Sequence, residues 1–195
     1  AKTVLLDKTG TLTIGQPELE RIIPLGDHDA DEALRLAASL DQMSAHVLAE
    51  SLVDGAAARG IELALPTGVK EEPGRGILGD VDGHHVAVGS SAWLEANGYD
   101  GAHDHARAYD AGDEAGRAKI LVGIDGALAA VIVMGDRLRP GADTLAQELH
   151  EAGIAHVALV TGDRPEIADE VARNVGIEHV YAEQLPEQKL TVVSA

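Results

Sequence analysis

The chain has no cysteine and no phenylalanine, one tryptophan (Trp93) and three tyrosines. Without cysteine there are no disulfides and no thiolate metal sites, which is compatible with a cytoplasmic setting. With so few aromatic rings, a core built from this sequence is aliphatic; at 45% hydrophobic residues there is enough apolar material for one. Bases are also scarce, 15 Lys and Arg against 33 Asp and Glu, a net charge of −18. A surface that acidic argues against nucleic acid and anionic membranes as partners. Long apolar runs are missing too. The longest, Ala127 to Met134, is the length of a strand and far short of the 18 or so residues of a membrane span. The opening residues do not read as a signal peptide.

What is there begins with Val4-Leu5-Leu6, a short buried strand, followed at once by Asp7-Lys8-Thr9-Gly10-Thr11-Leu12-Thr13. This puts a carboxylate at the C-terminal tip of a strand, where open α/β sheets carry their reactive groups. Backbone amides, hydroxyls and an ammonium follow it. Such an aspartate can attack phosphorus and become an aspartyl phosphate. A second strand-end loop, Thr161-Gly162-Asp163, precedes a helix and offers a hydroxyl and helix amides to a phosphoryl oxygen.

Between these motifs the pattern changes. Gly15-Gln16-Pro17 breaks the first strand's continuation, and Ile22 to Leu25 reads as a short strand or connector. Asp29 or Asp31 caps a helix to about Leu40, and Ser44 caps a second one that ends near Gly60. Two hairpins follow, each with an Asp-Gly turn: Gly76 to Val81 with His84 to Val88, and Lys119 to Ile124 with Ala127 to Val133. Ala92 to Asn97 reads as helix, and Gly98 to Gly116 as a polar loop with a frayed helix. After Gly135 helices and strands alternate: helix Gly141 to Glu151, strand Ala155 to Val160, helix Glu166 to Val175, strand Val180-Tyr181 and a last segment at Glu187 to Val193. That grammar predicts a parallel sheet shared with the N-terminal strand. The hairpin-rich middle is then an inserted domain.

The Asp7 heptapeptide resembles the phosphorylation motif of P-type cation-transporting ATPases, a branch of the haloacid dehalogenase-like superfamily. Thr161-Gly162-Asp163 resembles that family's second phosphate-binding motif, with Arg164 in its variable fourth place. Lys189, in Leu185-Pro186-Glu187-Gln188-Lys189, resembles its conserved lysine, which faces the aspartyl phosphate. Asp136-Arg137-Leu138-Arg139-Pro140 resembles the hinge where the chain returns to the phosphorylation domain; apart from that, Arg137 and Arg139 read as surface arginines. The soluble phosphatases of the superfamily usually carry a general acid/base two residues after the nucleophile. Thr9 stands there, so water attack on the phosphoenzyme is slow, which suits a pump.

The middle resembles the nucleotide-binding domain of the heavy-metal subgroup. Ser44-Ala45-His46-Val47-Leu48-Ala49 stands where those pumps have Ser-Glu-His-Pro-Leu-Ala, whose histidine packs beside adenine. Gly74-Arg75-Gly76 matches their glycine pair, where a missing side chain lets nucleotide approach the backbone. Ala45 and Val47 depart from the pattern, so the acidic contact is not carried over. Gly74 to Gly79 also spells Gly-x-Gly-x-x-Gly, but a hairpin follows instead of a helix, which excludes a dinucleotide fingerprint. No P-loop sequence occurs. His103 and His105 are a poor zinc site and read as exposed side chains.

The resemblance implies a haloacid dehalogenase-like, Rossmann-like parallel-sheet core from residues 1–15 and 133–195, with an inserted α+β nucleotide-binding domain, residues 16–132. It implies Mg-ATP as substrate, Asp7 as phosphoryl acceptor, Lys8, Thr9, Thr161, Gly162, Asp163 and Lys189 around it, and Asp7 with the Thr9 carbonyl as Mg²⁺ ligands. His46, Gly74 and Gly76 hold ATP. The partners implied are a transmembrane domain and an actuator domain of the same polypeptide, at the cytoplasmic face of a membrane. The family's later Gly-Asp-Gly-x-Asn-Asp motif is not reached before Ala195, so weak magnesium binding and little turnover are expected of this stretch alone. A soluble phosphatase with a cap domain, and a catalytically silent nucleotide-binding module, are the alternatives. The transported cation is not legible.

Overall fold

The computed structural model describes residues 2–110 and 117–184. In chain order the elements are β1 (Thr3–Asp7), β2 (Thr13–Pro24), α1 (Ala30–Asp41), α2 (Val47–Ala58), β3 (Thr67–Glu72), β4 (Gly76–Val81) and β5 (His84–Gly89). Then follow α3 (Ser91–Ala96), α4 (Ala102–Asp110), β6 (Ala118–Ile124), β7 (Ala127–Leu138), α5 (Ala142–Glu151), β8 (His156–Val160), α6 (Pro165–Val175) and β9 (His179–Tyr181). Two compact units result. Pro17–Gly135 is one; the flanking segments, up to Gln16 and from Asp136, make the other.

In the flanking unit β1, β8 and β9 form a parallel sheet in the order β1-β8-β9. The predicted alternation therefore takes shape, since parallel neighbours need a helical crossover and α6 supplies one between β8 and β9. Leu12, Val157, Leu159, Ala146, Ala172 and Val175 form the core between strands and helices. The pairing of β1 with β8 runs residue against residue from Thr3 opposite His156 to Asp7 opposite Val160. That register brings the tips of the two strands side by side.

The middle unit is built on a sheet in the order β2-β7-β6-β5-β4-β3, antiparallel from β3 through β7. Helices α1 and α2 supply Leu34, Leu40 and Leu52 to a core with Val86, Val122 and Ile132; Trp93, Leu94 and Tyr99 close a second core over Leu121 and Val131. Adjacent residues of β7 thus enter different cores, which explains its unbroken apolar run. Both Asp-Gly turns form as read: Asp82 and Asp125 take φ of 50° and 51°, each followed by a glycine with positive φ.

Two local expectations change, one strand is added and one helix is sharpened. The chain does not break at Gly15-Gln16-Pro17 but continues through them as one strand, β2, at the edge of the sheet. An edge tolerates proline because the missing N–H is not needed for a ladder. Strand β3 is not foreseen in the sequence; it is the opposite edge and its six residues are almost wholly exposed, so no alternation marks it. The second helix starts at Val47, capped by His46 and not by Ser44. Within the polar stretch after Gly98, Ala102 to Asp110 is helical, with Ala102 and Ala106 packed against the Trp93 core. The expected segment at Glu187 to Val193, and Lys189 within it, lie outside the described residues. Among the described residues no helix is long and apolar enough to cross a membrane.

Candidate active site

Asp7 ends β1 half-buried, and the chain then turns through Lys8–Leu12. The turn is closed by the Thr13 N–H on the Lys8 carbonyl. Gly10 takes φ +80° inside it, a conformation that a side chain would strain. Two further bonds pin the loop from the far end of the sequence. Arg139 donates Nη2 to the Gly10 carbonyl at 2.9 Å and its backbone N–H to the Leu12 carbonyl at 2.8 Å. Arg139 is therefore not merely a surface arginine: it holds the loop that carries Asp7.

Beside Asp7, at the tip of β8, stands Thr161, which is buried. Its hydroxyl donates to Asp163 Oδ2 at 2.7 Å and accepts the Asp163 N–H at 3.2 Å. The Gln184 N–H on the Thr161 carbonyl and the Glu183 N–H on the Asp163 carbonyl fix the loop from behind. Gly162 is exposed between them. Helix α6 then opens at Pro165 with no side chain capping its first turn, and the N–H groups of a helix's first turn are the kind of donor an anion takes.

Lys8 joins the two loops. Its ammonium lies 2.7 Å from Asp163 Oδ2 and 2.6 Å from Asp136 Oδ2, with the lysine side chain only 6% exposed. Burial by itself lowers a lysine; the two carboxylates outweigh it and hold Lys8 above its ordinary value, so it is charged. In sequence Asp136 reads only as a hinge residue. Its place here is set by tertiary structure, 128 residues from Lys8, and the acidic first position of the hinge motif is the only signal.

Magnesium takes oxygen ligands and commonly keeps several waters beside one or two carboxylates. The Asp7 carboxylate and the carbonyl of exposed Thr9 have that chemistry. Among the described residues no group of three or more His, Cys, Asp or Glu could enclose a metal, and Asp136 and Asp163 are committed to Lys8. The donor set therefore fits an ion shared with phosphate and water, and does not fit a caged one.

In the middle unit His46, Gly74 and Gly76 line one pocket, together with Ser44, Gly89 and Lys119. The His46 ring is also structural: Nδ1 accepts the Leu48 N–H at 3.2 Å as the cap of α2. Ser44 donates to Glu71 at 2.6 Å and accepts the His46 N–H at 3.1 Å. Gly74 takes φ +74° with open space about it. Gly76 is glycine for a different reason from the one expected: a Cβ there would sit 2.3 Å from the Trp93 ring, so packing alone demands it. Sequence reasoning missed Asp41. It is a carboxyl buried in the pocket wall at the end of α1, pushed up to about 7 by burial and, less, by Glu71. A polar residue on the last turn of an amphipathic helix carries no mark of this.

A family model for haloacid dehalogenase-like hydrolases matches residues 1–195. The chain belongs to that family. Within it, the chain is 40% identical over 195 residues to a copper-transporting P-type ATPase of Rhizobium leguminosarum bv. viciae, covering 98% of this chain and 22% of the relative. It is 39% identical over 193 residues to copper-transporting ATPase 2 of Rhizobium meliloti (strain 1021), covering 99% of this chain and 23% of the relative. Its fold matches a crystal structure of a zinc-transporting PIB-type ATPase with a TM-score of 0.81 at 30% identity, over 99% of this chain and 31% of that one. The chain thus spans about a quarter of the length of the curated relatives. The heavy-metal P-type resemblance read from the motifs extends over nearly the whole haloacid dehalogenase-like sequence, and the α/β fold class is the one expected.

Proposed function

We propose that this chain is the ATP-binding and phosphorylation part of an ATP-driven pump for a transition or heavy metal, working at the cytoplasmic face of a membrane. The observation that carries the reading is the joining of two strand tips by one buried ammonium: Lys8, next to Asp7, bonds Asp163, which bonds Thr161. A structural turn has no need of a buried charge shared by two loops, whereas phosphoryl transfer needs positive charge and oriented donors.

In this reading an Asp7 carboxylate oxygen forms a bond to the γ-phosphorus of ATP. The bond to the β–γ bridging oxygen breaks and ADP leaves. Thr161 and the first amides of α6 bind phosphoryl oxygens, and Lys8 holds Asp163, and through it the Thr161 hydroxyl, in place. Asp7 and the Thr9 carbonyl hold Mg²⁺, which neutralises phosphate oxygens when bound. Thr9 supplies no carboxylate base for water, so the phosphoenzyme persists long enough to drive movement elsewhere in the polypeptide, in transmembrane and actuator domains. Lys189 completes the charge around the phosphate. His46 and Gly74 bind the nucleotide, with Gly76 keeping the pocket wall in place. Copper and zinc pumps are both among the similar proteins, so the cation stays open.

The test is titration calorimetry of ATP into the chain and into His46→Asn. Asparagine keeps a cap for α2 while removing the ring, so it separates binding from helix stability. ATP binding that weakens in His46→Asn, at an unchanged melting temperature, supports the pocket. No binding by the parent chain rules it out.

A further inference from the structure

We infer that Lys119 orients the nucleotide by holding its phosphates at one end of the middle unit's pocket; the inference rests on reading that pocket as an ATP site. The pocket crosses four neighbouring strands, with Glu71 on β3, Gly76 on β4, Gly89 on β5 and Lys119 on β6. The register connects them: Gly76 is opposite Gly89, and Gly89 is opposite Leu121, two residues past Lys119. Three strand spacings separate β3 from β6, about 14 Å. That is comparable with the reach of an extended nucleoside triphosphate.

The two ends differ in chemistry. At the β3 end stand the buried Asp41 carboxyl, Glu71 hydrogen-bonded by Ser44, and the His46 ring. Carboxylates repel phosphate and accept from amino and hydroxyl groups, so this end suits base and ribose. At the β6 end stands the Lys119 ammonium, anchored at the pocket by donating to the Arg117 carbonyl at 3.2 Å. Arg75, the other cation in the lining, is 72% exposed and paired with Glu72, so it contributes little. Between the ends lie Gly76 and Gly89, and beside them Gly74, the one lining glycine of the three with open space where a side chain would be. Lys119 is also the only polar residue in β6, whose neighbours Ile120 and Leu121 are core residues.

The test is calorimetry with ATP and with adenosine on the 195-residue chain, Lys119→Met and Lys119→Arg, beside a thermal melt of each. Lys119→Met is expected to weaken ATP about tenfold, the scale of one lost charge-assisted hydrogen bond. Adenosine affinity and melting temperature should stay unchanged, and Lys119→Arg should restore most of the ATP affinity. Equal weakening of ATP and adenosine, or no change in either, overturns the role of Lys119 while leaving the pocket reading intact. Failure of the parent chain to bind either ligand overturns both.

Discussion

Lys8 is one ammonium answering two carboxylates, and that arithmetic governs its replacement. Lys8→Met leaves Asp136 and Asp163 facing each other with no cation between them. Asp136 is 42% and Asp163 30% exposed, so water softens the repulsion. The expected cost is about 2 kcal/mol, below the roughly 3–5 typical of breaking a fully buried pair, read as a lower urea midpoint at unchanged slope. Asp41 behaves in the opposite sense. Burial, then Glu71, raises its carboxyl from 3.8 to about 7 in the folded state. Between those values the folded chain holds a proton that the unfolded chain has lost, so stability falls as pH rises from about 4 to about 7 and levels off above. Asp41→Asn removes that loss, and its melting temperature should gain on the parent's between about pH 5 and pH 8. An equal difference at both pH values would contradict a protonated Asp41. These residues also mark how far a sequence can be read. Asp7, Thr161 and Asp163 are legible because their motifs are contiguous and sit at strand ends. Asp136 and Arg139 are not legible as site residues, because their partners, Lys8 and the Gly10 carbonyl, lie 128 and 129 residues away.

Among the elements, β4 and α3 are locked by a missing side chain. A Cβ on Gly76 meets the Trp93 ring at 2.3 Å, and one on Gly89 meets the Arg75 carbonyl at 2.6 Å. Gly76→Ala should therefore destabilise the middle unit by about 1–3 kcal/mol, the usual cost of overpacking. Adding Trp93→Leu should recover part of it if the ring is the obstacle; a double variant no better than additive would place the obstacle elsewhere. From sequence alone a glycine that admits ligand and a glycine that admits tryptophan look the same. The hairpins are legible because Asp-Gly turns declare themselves locally. The edge strands β2 and β3 are not: a glycine and proline interrupt the first, and the second lacks a buried face, so neither shows a clean period of two. The cap of α2 falls two residues later than the sequence suggests because a histidine ring, an uncommon cap, takes the role expected of Ser44.

At the scale of the molecule, the chain passes between its two units twice, within β2 and within β7, and the second passage ends at Asp136. The same carboxylate that binds Lys8 is therefore the first residue of the returning segment. One unit carries the proposed phosphoryl acceptor and the other the proposed nucleotide pocket, each with its own sheet and core. Such a division suits a reaction in which ATP is bound in one place and its γ-phosphoryl is taken up in another. This chain spans 22–23% of the copper-transporting relatives it resembles, and the proposed cycle belongs to a whole pump. The decisive measurement is made there: γ-labelled ATP with Mg²⁺, an acid quench, and counting of protein-bound phosphate in the parent and in Asp7→Asn. The account predicts acid-stable, hydroxylamine-labile label in the parent and none in Asp7→Asn, with ATP binding retained by both. Label that survives Asp7→Asn, or a parent that binds ATP and never becomes labelled, would contradict it.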